Sequence, residues 1–199
     1  MKKIIIVGGT GFLGFHLAQL FLKKKWKVVS ISRKKPKKIR FSKNIEYLFV
    51  DIANKKSLEE KLLKYNEVEY VINCGGEVKH EKLKKTFSSH YLGVKNLSNF
   101  FLNKKIKKFV QIGSSLEYGK SRSPQKENFS TKPTSNYSKA KVLASKVLLK
   151  LYNTKKFPII IIRPYQIYGP HQDSNRLIPI VINNCLNNKK FPCSEGSQF

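Results

Sequence analysis

The chain is poor in the residue types that build disulfide frameworks and metal centres. It has three cysteines and four histidines: Cys74, Cys185 and Cys193, and His16, His80, His90 and His171. An odd number of cysteines without paired spacing is typical of reduced thiols in a cytoplasm, and the scattered histidines predict no metal site. Long apolar runs are absent too, since no stretch approaches the ~20 residues of a transmembrane helix. The four apolar residues after Met1-Lys2-Lys3 are too few for a signal peptide. We therefore expect a cytoplasmic protein without a membrane partner.

Acidic residues are also scarce, because 12 Asp and Glu stand against 40 Lys and Arg and leave a formal charge of +28. Such a charge can indicate a nucleic-acid partner. However, nucleic-acid readers rely on arginine for bidentate contacts, and most of the basic residues here are lysines spread along the whole chain. We therefore consider nucleic acid an unlikely partner and interpret the charge as a composition bias. The basic surface would still attract phosphate-bearing small molecules.

Short β-branched apolar runs alternate with amphipathic stretches along the chain. This alternation predicts an α/β fold in which a parallel sheet carries helices on both faces. The predicted strands are 3–7, 27–31, 46–50, 70–73, 109–112 and 158–162, and the predicted helices are 11–24, 56–64, 83–103, 134–152 and 176–187. A chain of 199 residues is long enough for one domain with a sizeable core.

A glycine-rich segment, Gly8-Gly9-Thr10-Gly11-Phe12-Leu13-Gly14, joins the first strand to the first helix. Gly8 permits a tight turn, Gly11 lets the backbone approach a pyrophosphate, and Gly14 allows close packing of helix and strand. The free N–H groups and dipole of the helix N-terminus favour phosphate binding. The pattern, with Phe12 and Leu13 between the glycines, predicts a dinucleotide site. The alternative is a glycine-rich turn without a ligand.

The end of the second strand bears on the choice between NAD and NADP. An acidic residue there would accept from the adenosine ribose hydroxyls and select NAD. Here the strand ends in Ser32-Arg33-Lys34, and Ser32 and Arg33 can bind a 2′-phosphate. We therefore favour NADP(H) over NAD(H). Alternatively, Arg33 only begins a solvated basic loop.

Two further strand ends carry candidate cofactor contacts. Asp51-Ile52 follows the third strand and suits an adenine edge, although Asp51 could instead cap the next helix. Cys74-Gly75-Gly76 follows the fourth strand, and its small residues leave room for a cofactor backbone or form an ordinary turn.

The pair Tyr137 and Lys141 carries the candidate chemistry. Residues four apart share one face of a helix, so we expect the ammonium to favour the phenolate and lower the tyrosine pKa. Tyr137 could then exchange a proton with a carbonyl or alcohol. A serine pair, Ser114-Ser115, ends the apolar run upstream. Tyr-x-x-x-Lys by itself also arises by chance in a lysine-rich helix.

These motifs occur in one order with a final segment, Arg163-Pro164-Tyr165-Gln166-Ile167-Tyr168-Gly169-Pro170. Together they resemble the extended short-chain dehydrogenase/reductases, the NAD(P)-dependent nucleotide-sugar epimerase, dehydratase and reductase family. The resemblance covers essentially the whole chain. It implies a Rossmann-like doubly wound parallel sheet and a nucleotide-sugar substrate.

The resemblance also implies roles for individual residues. Ser114 would hydrogen-bond the sugar, Tyr137 would transfer the proton, and Lys141 would hold the cofactor ribose. Ser115 is the alternative to Ser114 as the catalytic serine and otherwise would touch substrate. The nicotinamide would lie against two residues of the final segment, Pro164 and Ile167. His90 stands where relatives often carry Asn, and we interpret it as a helix-packing residue.

The family's 4,6-dehydratases carry an acid directly after the catalytic Ser or Thr, or one residue later. Here those positions are Ser115 and Leu116, and Glu117 is offset by one residue, which points its side chain elsewhere. The resemblance therefore favours reduction of a 4-keto-6-deoxy nucleotide sugar with NADPH. The alternatives are an epimerase of the same family and a non-catalytic NADP-binding protein.

The resemblance further divides the chain into a Rossmann domain, 1–170, and the beginning of a substrate-binding domain, 171–199, whose remainder is absent. Asn175 and Arg176 are candidates for the sugar-nucleotide phosphates, although Arg176 could be a solvated residue at a helix start. Relatives often dimerise through the helices that correspond to 83–103 and 134–152, so we expect a homodimer.

Overall fold

The computed structural model describes residues 1–77 and 82–195, and within them the chain forms a six-stranded parallel sheet. The strands are β1 (Lys3–Val7), β2 (Lys27–Ser32), β3 (Ile45–Phe49), β4 (Tyr70–Asn73), β5 (Lys108–Ile112) and β6 (Ile159–Ile162). Their order is β3-β2-β1-β4-β5-β6, and every adjacent pair is parallel. This is the strand order of a dinucleotide-binding sheet. The predicted Rossmann-like α/β fold is confirmed.

Helices connect the strands. They are α1 (Phe12–Lys23), α2 (Lys55–Leu62), α3 (Leu83–Phe87), α4 (Gly93–Phe101), α5 (Asn136–Lys155) and α6 (Leu177–Leu186). A π-helical turn, Ser88–Leu92, joins α3 to α4, so the predicted helix 83–103 contains a local change of pitch. Helix α5 begins later than predicted because Ser135 and Ser138 form a capping box at its start.

The core lies on both faces of the sheet because successive strand residues point to opposite sides. On one face, Ile5 and Val7 join a buried cluster that includes Leu97 of α4 and Leu148 of α5. On the other face, Ile4 and Ile6 pack in a cluster with Ala18 of α1. Helices thus cover both faces, as a doubly wound sheet requires.

The chain divides into two compact units, Met1–Tyr165 and a second that begins at Gln166. The first unit contains the sheet and α1 to α5, and the second contains α6. The predicted boundary after residue 170 lies close to this division. The assignment of the second unit to substrate binding remains a prediction.

Over residues 1–77 and 82–195, no helix combines the length and apolar character needed to cross a bilayer. In the same residues, no three His, Cys, Asp or Glu side chains gather into a candidate metal site.

Candidate functional site

A groove of about 410 Å³ lies at the carboxyl ends of β1 to β4. Its lining includes Gly8, Gly11, Phe12, Leu13 and Gly14 of the glycine loop, Ser32 and Arg33 after β2, Asp51 and Ile52 after β3, and Cys74, Gly75 and Gly76 after β4. The fold therefore brings together the residues predicted to bind the adenosine and pyrophosphate. Ligands of open α/β sheets bind in such a crevice, outside the carboxyl ends of the strands.

The glycine loop forms the floor of this groove. Gly8 has a φ of +78°, its N–H donates to the Ile31 carbonyl at 2.7 Å, and its carbonyl accepts from Gly11 N at 2.9 Å. A Cβ on Gly14 would lie 2.2 Å from the Gly8 oxygen, so only glycine fits there. Gly11 is the N-cap of α1, and no side chain caps this helix. Its first-turn amides are therefore suited to an anion such as a pyrophosphate, and a nicotinamide dinucleotide fits the groove.

The side of the groove after β2 contains an ion pair. Arg33 Nη2 donates to Glu77 Oε2 at 3.0 Å, and Ser32 Oγ donates to the Lys34 carbonyl at 2.8 Å. Arg33 is thus more than a solvated loop residue, because it forms an ion pair with Glu77, which follows β4. Sequence reasoning missed Glu77, which no motif marks.

Asp51 lies in the groove after β3. Its Oδ1 accepts from Ala53 N at 2.9 Å, whereas Asn54 caps α2 by accepting from Ser57 N at 3.1 Å. The alternative in which Asp51 caps α2 is therefore wrong. The predicted contact of Asp51 with the adenine remains a prediction.

The candidate catalytic residues meet at the end of β5. Ser114 precedes a short 3₁₀ turn, Ser115–Glu117, and its hydroxyl both accepts from Leu116 N at 3.2 Å and hydrogen-bonds the Tyr137 hydroxyl. Tyr137 lies in the first turn of α5. Lys141, one turn later, places its Nζ 5.6 Å from the centroid of the Tyr137 ring and donates to the Ile112 carbonyl at 2.7 Å.

The predicted lowering of the Tyr137 pKa is wrong for this structure. Burial raises the pKa of Tyr137, and its hydrogen bond with Ser114 offsets this only in part. Lys141 lies over the ring and bonds the Ile112 carbonyl, and burial lowers its pKa to about 8. Both groups are dehydrated, so each favours its neutral form. Tyr137 is consequently held as a phenol, the form that donates a proton.

A buried ion pair that sequence reasoning missed supports this site. The Glu117 carboxylate is fully buried and accepts from Ser114 N at 3.0 Å, Ser145 Oγ at 2.9 Å and Arg163 Nε at 3.0 Å. Arg163 Nη1 also donates to the Tyr118 hydroxyl at 3.0 Å. The signal in the sequence that could have indicated this pair is that Glu117 and Arg163 each follow an apolar strand, β5 and β6, and these two strands are neighbours in the sheet. By accepting from its N–H, Glu117 positions the Ser114 backbone.

His90 is buried on the π-helical turn, as expected for a packing residue. Its ring also stands edge-on to Tyr137, with centroids 5.0 Å apart, and its Nε2 lies 3.0 Å from the Glu77 carbonyl oxygen. A Cβ on Gly76 would lie 2.0 Å from the imidazole. Because Gly76 lines the groove, His90 connects the groove to Tyr137.

The remaining predicted residues are less closely tied to the site. The Pro164 carbonyl accepts from Ser115 N at 3.1 Å, which places both residues beside the serine turn. Ile167, Asn175 and Arg176 belong to the second unit, where Arg176 is the N-cap of α6 and makes no side-chain cap bond. Their roles at the nicotinamide and the sugar phosphates remain predictions.

Comparison with curated proteins finds relatives whose sequences are similar to most of this chain. The dTDP-D-glucose 4,6-dehydratase of Dictyostelium discoideum is 29% identical over an alignment of 217 positions, gaps included, which covers 96% of this chain and 49% of the relative. The UDP-N-acetyl-alpha-D-glucosaminuronate decarboxylase of Bacillus cytotoxicus is 27% identical over 180 residues, 85% of this chain and 56% of the relative. The chain thus spans about half the length of the curated relatives it matches.

Comparison with solved structures finds the same fold. UDP-glucuronic acid 4-epimerase from Bacillus cereus, in complex with NAD, superposes with a TM-score of 0.81 at 23% identity, covering 94% of this chain and 64% of that one. Pal from Bacillus thuringiensis gives a TM-score of 0.84 at 26% identity with the same coverage. The family model described as "NAD dependent epimerase/dehydratase family" matches residues 4–198. The chain belongs to the NAD-dependent epimerase/dehydratase family.

Proposed function

We propose that the chain is the cofactor-binding and catalytic part of an NAD(P)-dependent oxidoreductase that reduces a 4-keto-6-deoxy nucleotide sugar with NADPH. The observation that carries this proposal is the arrangement at the end of β5, where Lys141 Nζ lies 5.6 Å from the centroid of the Tyr137 ring and donates to the Ile112 carbonyl at 2.7 Å, two residues before Ser114. These residues adjoin the groove, because the His90 ring contacts Tyr137 and also packs against Gly76, which lines the groove.

In the proposed reaction the bound dinucleotide supplies the hydride to the keto carbon. Ser114 orients the carbonyl oxygen by donating a hydrogen bond, and Tyr137 transfers its phenolic proton to that oxygen, which yields the alcohol. The raised pKa of Tyr137 keeps this proton on the phenol near neutral pH. Lys141, held by the Ile112 carbonyl, fixes the distance between the ring and the end of β5 and would bind the cofactor ribose.

Reduction is favoured over dehydration by the residues of the serine turn. Water elimination needs an acid next to the sugar, and the corresponding positions are Ser115 and Leu116. The carboxylate of Glu117 already accepts three hydrogen bonds in a fully buried position. Several relatives are named 4,6-dehydratases, but their identity to this chain is 29% or less. The choice of reaction therefore rests on the residues of this chain.

Epimerisation by transient oxidation is the second candidate, because the same proton donor serves both directions and the matching solved structures include 4-epimerases. The two reactions differ in their use of cofactor. A reductase consumes one NADPH for each sugar, whereas an epimerase forms an isomer without net cofactor consumption.

The test is oxidation of NADPH by purified protein in the presence of a 4-keto-6-deoxy nucleotide sugar, for this chain and for any longer reading frame that contains it. Tyr137→Phe should lower the rate by about 10²- to 10⁴-fold while cofactor affinity stays unchanged. Tyr152→Phe is the matched control, since Tyr152 is exposed near the other end of α5. Equal rates in Tyr137→Phe and wild type would refute the catalytic assignment. Cofactor binding without turnover of any sugar would favour a non-catalytic NADP-binding protein.

We further propose that the protein is cytoplasmic, needs no metal and forms a homodimer. Helix α5 exposes Leu143 and Leu149, which supports a contact between copies through this helix. Light scattering should give twice the mass of one chain for wild type and the mass of one chain for Leu149→Lys. A wild-type monomer at micromolar concentration would contradict the dimer.

A further inference from the structure

We propose that Glu77 determines cofactor preference by holding Arg33 across the adenosine end of the groove. Its carboxylate competes with the 2′-phosphate of NADP for the guanidinium and offers an acceptor to the ribose hydroxyls of NAD. Glu77 thereby reduces the preference for NADP that Arg33 would otherwise confer. This inference rests on the proposed function, because it requires that the groove bind a nicotinamide dinucleotide.

The ion pair crosses the groove. Arg33 follows β2 and Glu77 follows β4, and these two strands flank β1 on opposite sides. Both residues line the groove, and Arg33 Nη2 lies 3.0 Å from Glu77 Oε2. A bond between the two strand ends therefore passes over the carboxyl end of β1, where the glycine loop begins.

The position of Glu77 is set by the π-helical turn. Its backbone N–H donates to Ser89 Oγ at 3.0 Å, and its carbonyl oxygen lies 3.0 Å from His90 Nε2. The Glu77 side chain is 20% exposed, against 44% for Arg33. The carboxylate is thus the better anchored partner, and the longer arginine is the partner that moves when a ligand enters.

The chemistry follows from the missing acid at the end of β2. A carboxylate at that place accepts from the ribose hydroxyls and disfavours a 2′-phosphate by repulsion. Here β2 ends at Ser32 and Arg33 follows it, and Glu77, beyond β4, places a carboxylate in the same groove, 3.0 Å from the Arg33 guanidinium. The groove consequently contains both an element that attracts the phosphate and an element that repels it.

The experiment is calorimetric titration of NADP⁺ and NAD⁺ into wild type and Glu77→Gln. Loss of one negative charge a few ångströms from a phosphate dianion should lower the ratio of the NADP⁺ to the NAD⁺ dissociation constant by about tenfold. The matched control is Glu69→Gln, which loses a 3.0 Å ion pair to Lys107 outside the groove and should keep the wild-type ratio.

Three further outcomes separate the hypotheses. In an Arg33→Met background, Glu77→Gln should change the ratio less than it does with Arg33 present, since the competition for the guanidinium is then gone and only the direct action of the carboxylate on the cofactor remains. An unchanged ratio in Glu77→Gln, with both cofactors bound by wild type, would refute this inference and leave the proposed function intact. Failure of folded wild type to bind either cofactor would refute the proposed function, and this inference with it.

Discussion

Glu117→Gln tests the buried ion pair that supports the serine turn. The amide keeps the shape of the side chain but replaces one acceptor oxygen by an NH₂ group, in a fully buried position where Arg163, Ser145 and the Ser114 amide all donate. At least one donor then loses its acceptor, and the arginine loses its counter-charge. Breaking a buried pair on one side costs about 3–5 kcal/mol, and the retained oxygen places the expected loss near the lower end, about 3 kcal/mol.

The assay is urea unfolding followed by circular dichroism, together with thermal melting. For a chain of this length, about 3 kcal/mol corresponds to a fall in Tm of roughly 6–12 °C. Glu59→Gln serves as the control, because Glu59 forms an exposed pair with Lys55 at 3.9 Å and should lose about 0.5 kcal/mol or less. If Glu117→Gln costs no more than Glu59→Gln, the buried pair does not stabilise the turn and the reasoning is refuted.

Three more predictions follow from the site. Lys141, whose folded-state pKa is about 8 against an ordinary 10.5, binds fewer protons in the native than in the unfolded state between those values, so stability should rise with pH there. Relative to Lys141→Met, wild type should gain about 3 kcal/mol between pH 8 and 10.5 in urea titrations, and a flat difference would contradict this. Burial raises the pKa of Cys74 to about 12, so iodoacetamide labelling followed by mass spectrometry should modify the exposed Cys185 and Cys193 first, and equal rates would be the contrary result. Gly14→Ala should abolish calorimetric cofactor binding, since its Cβ would lie 2.2 Å from a backbone oxygen, and wild-type affinity in that variant would disprove the close packing of the loop.

The strands were predictable from the sequence because parallel strands buried on both faces are short, continuous apolar runs. The predicted strands 3–7 and 70–73 match β1 and β4 at both ends, and the others differ by one residue at one or both ends. The glycine loop was equally readable, because Gly8 has a positive φ and a Cβ on Gly14 would lie 2.2 Å from the Gly8 oxygen, so both positions need glycine. The π-helical turn could not be predicted from the sequence, because no residue pattern in the predicted helix 83–103 indicates a change from α-helical to π-helical hydrogen bonding.

The electrostatics of the site depend on burial, which spacing does not reveal. The four-residue separation of Tyr137 and Lys141 correctly predicted that they are adjacent, but the direction of the Tyr137 pKa follows from dehydration. The contact of Arg33 with Glu77 joins residues 44 positions apart on opposite sides of β1. Only the strand order brings them together.

The most direct test of the account is calorimetric titration of NADP⁺ into this chain and into Gly11→Asp. The new carboxylate would face the first-turn amides of α1, where the pyrophosphate is proposed to bind. We predict saturable one-to-one binding by wild type and an affinity about tenfold or more weaker in the variant, with both proteins folded by circular dichroism. Equal binding by the two proteins, or no binding by folded wild type, would contradict the proposal that this groove is the cofactor site.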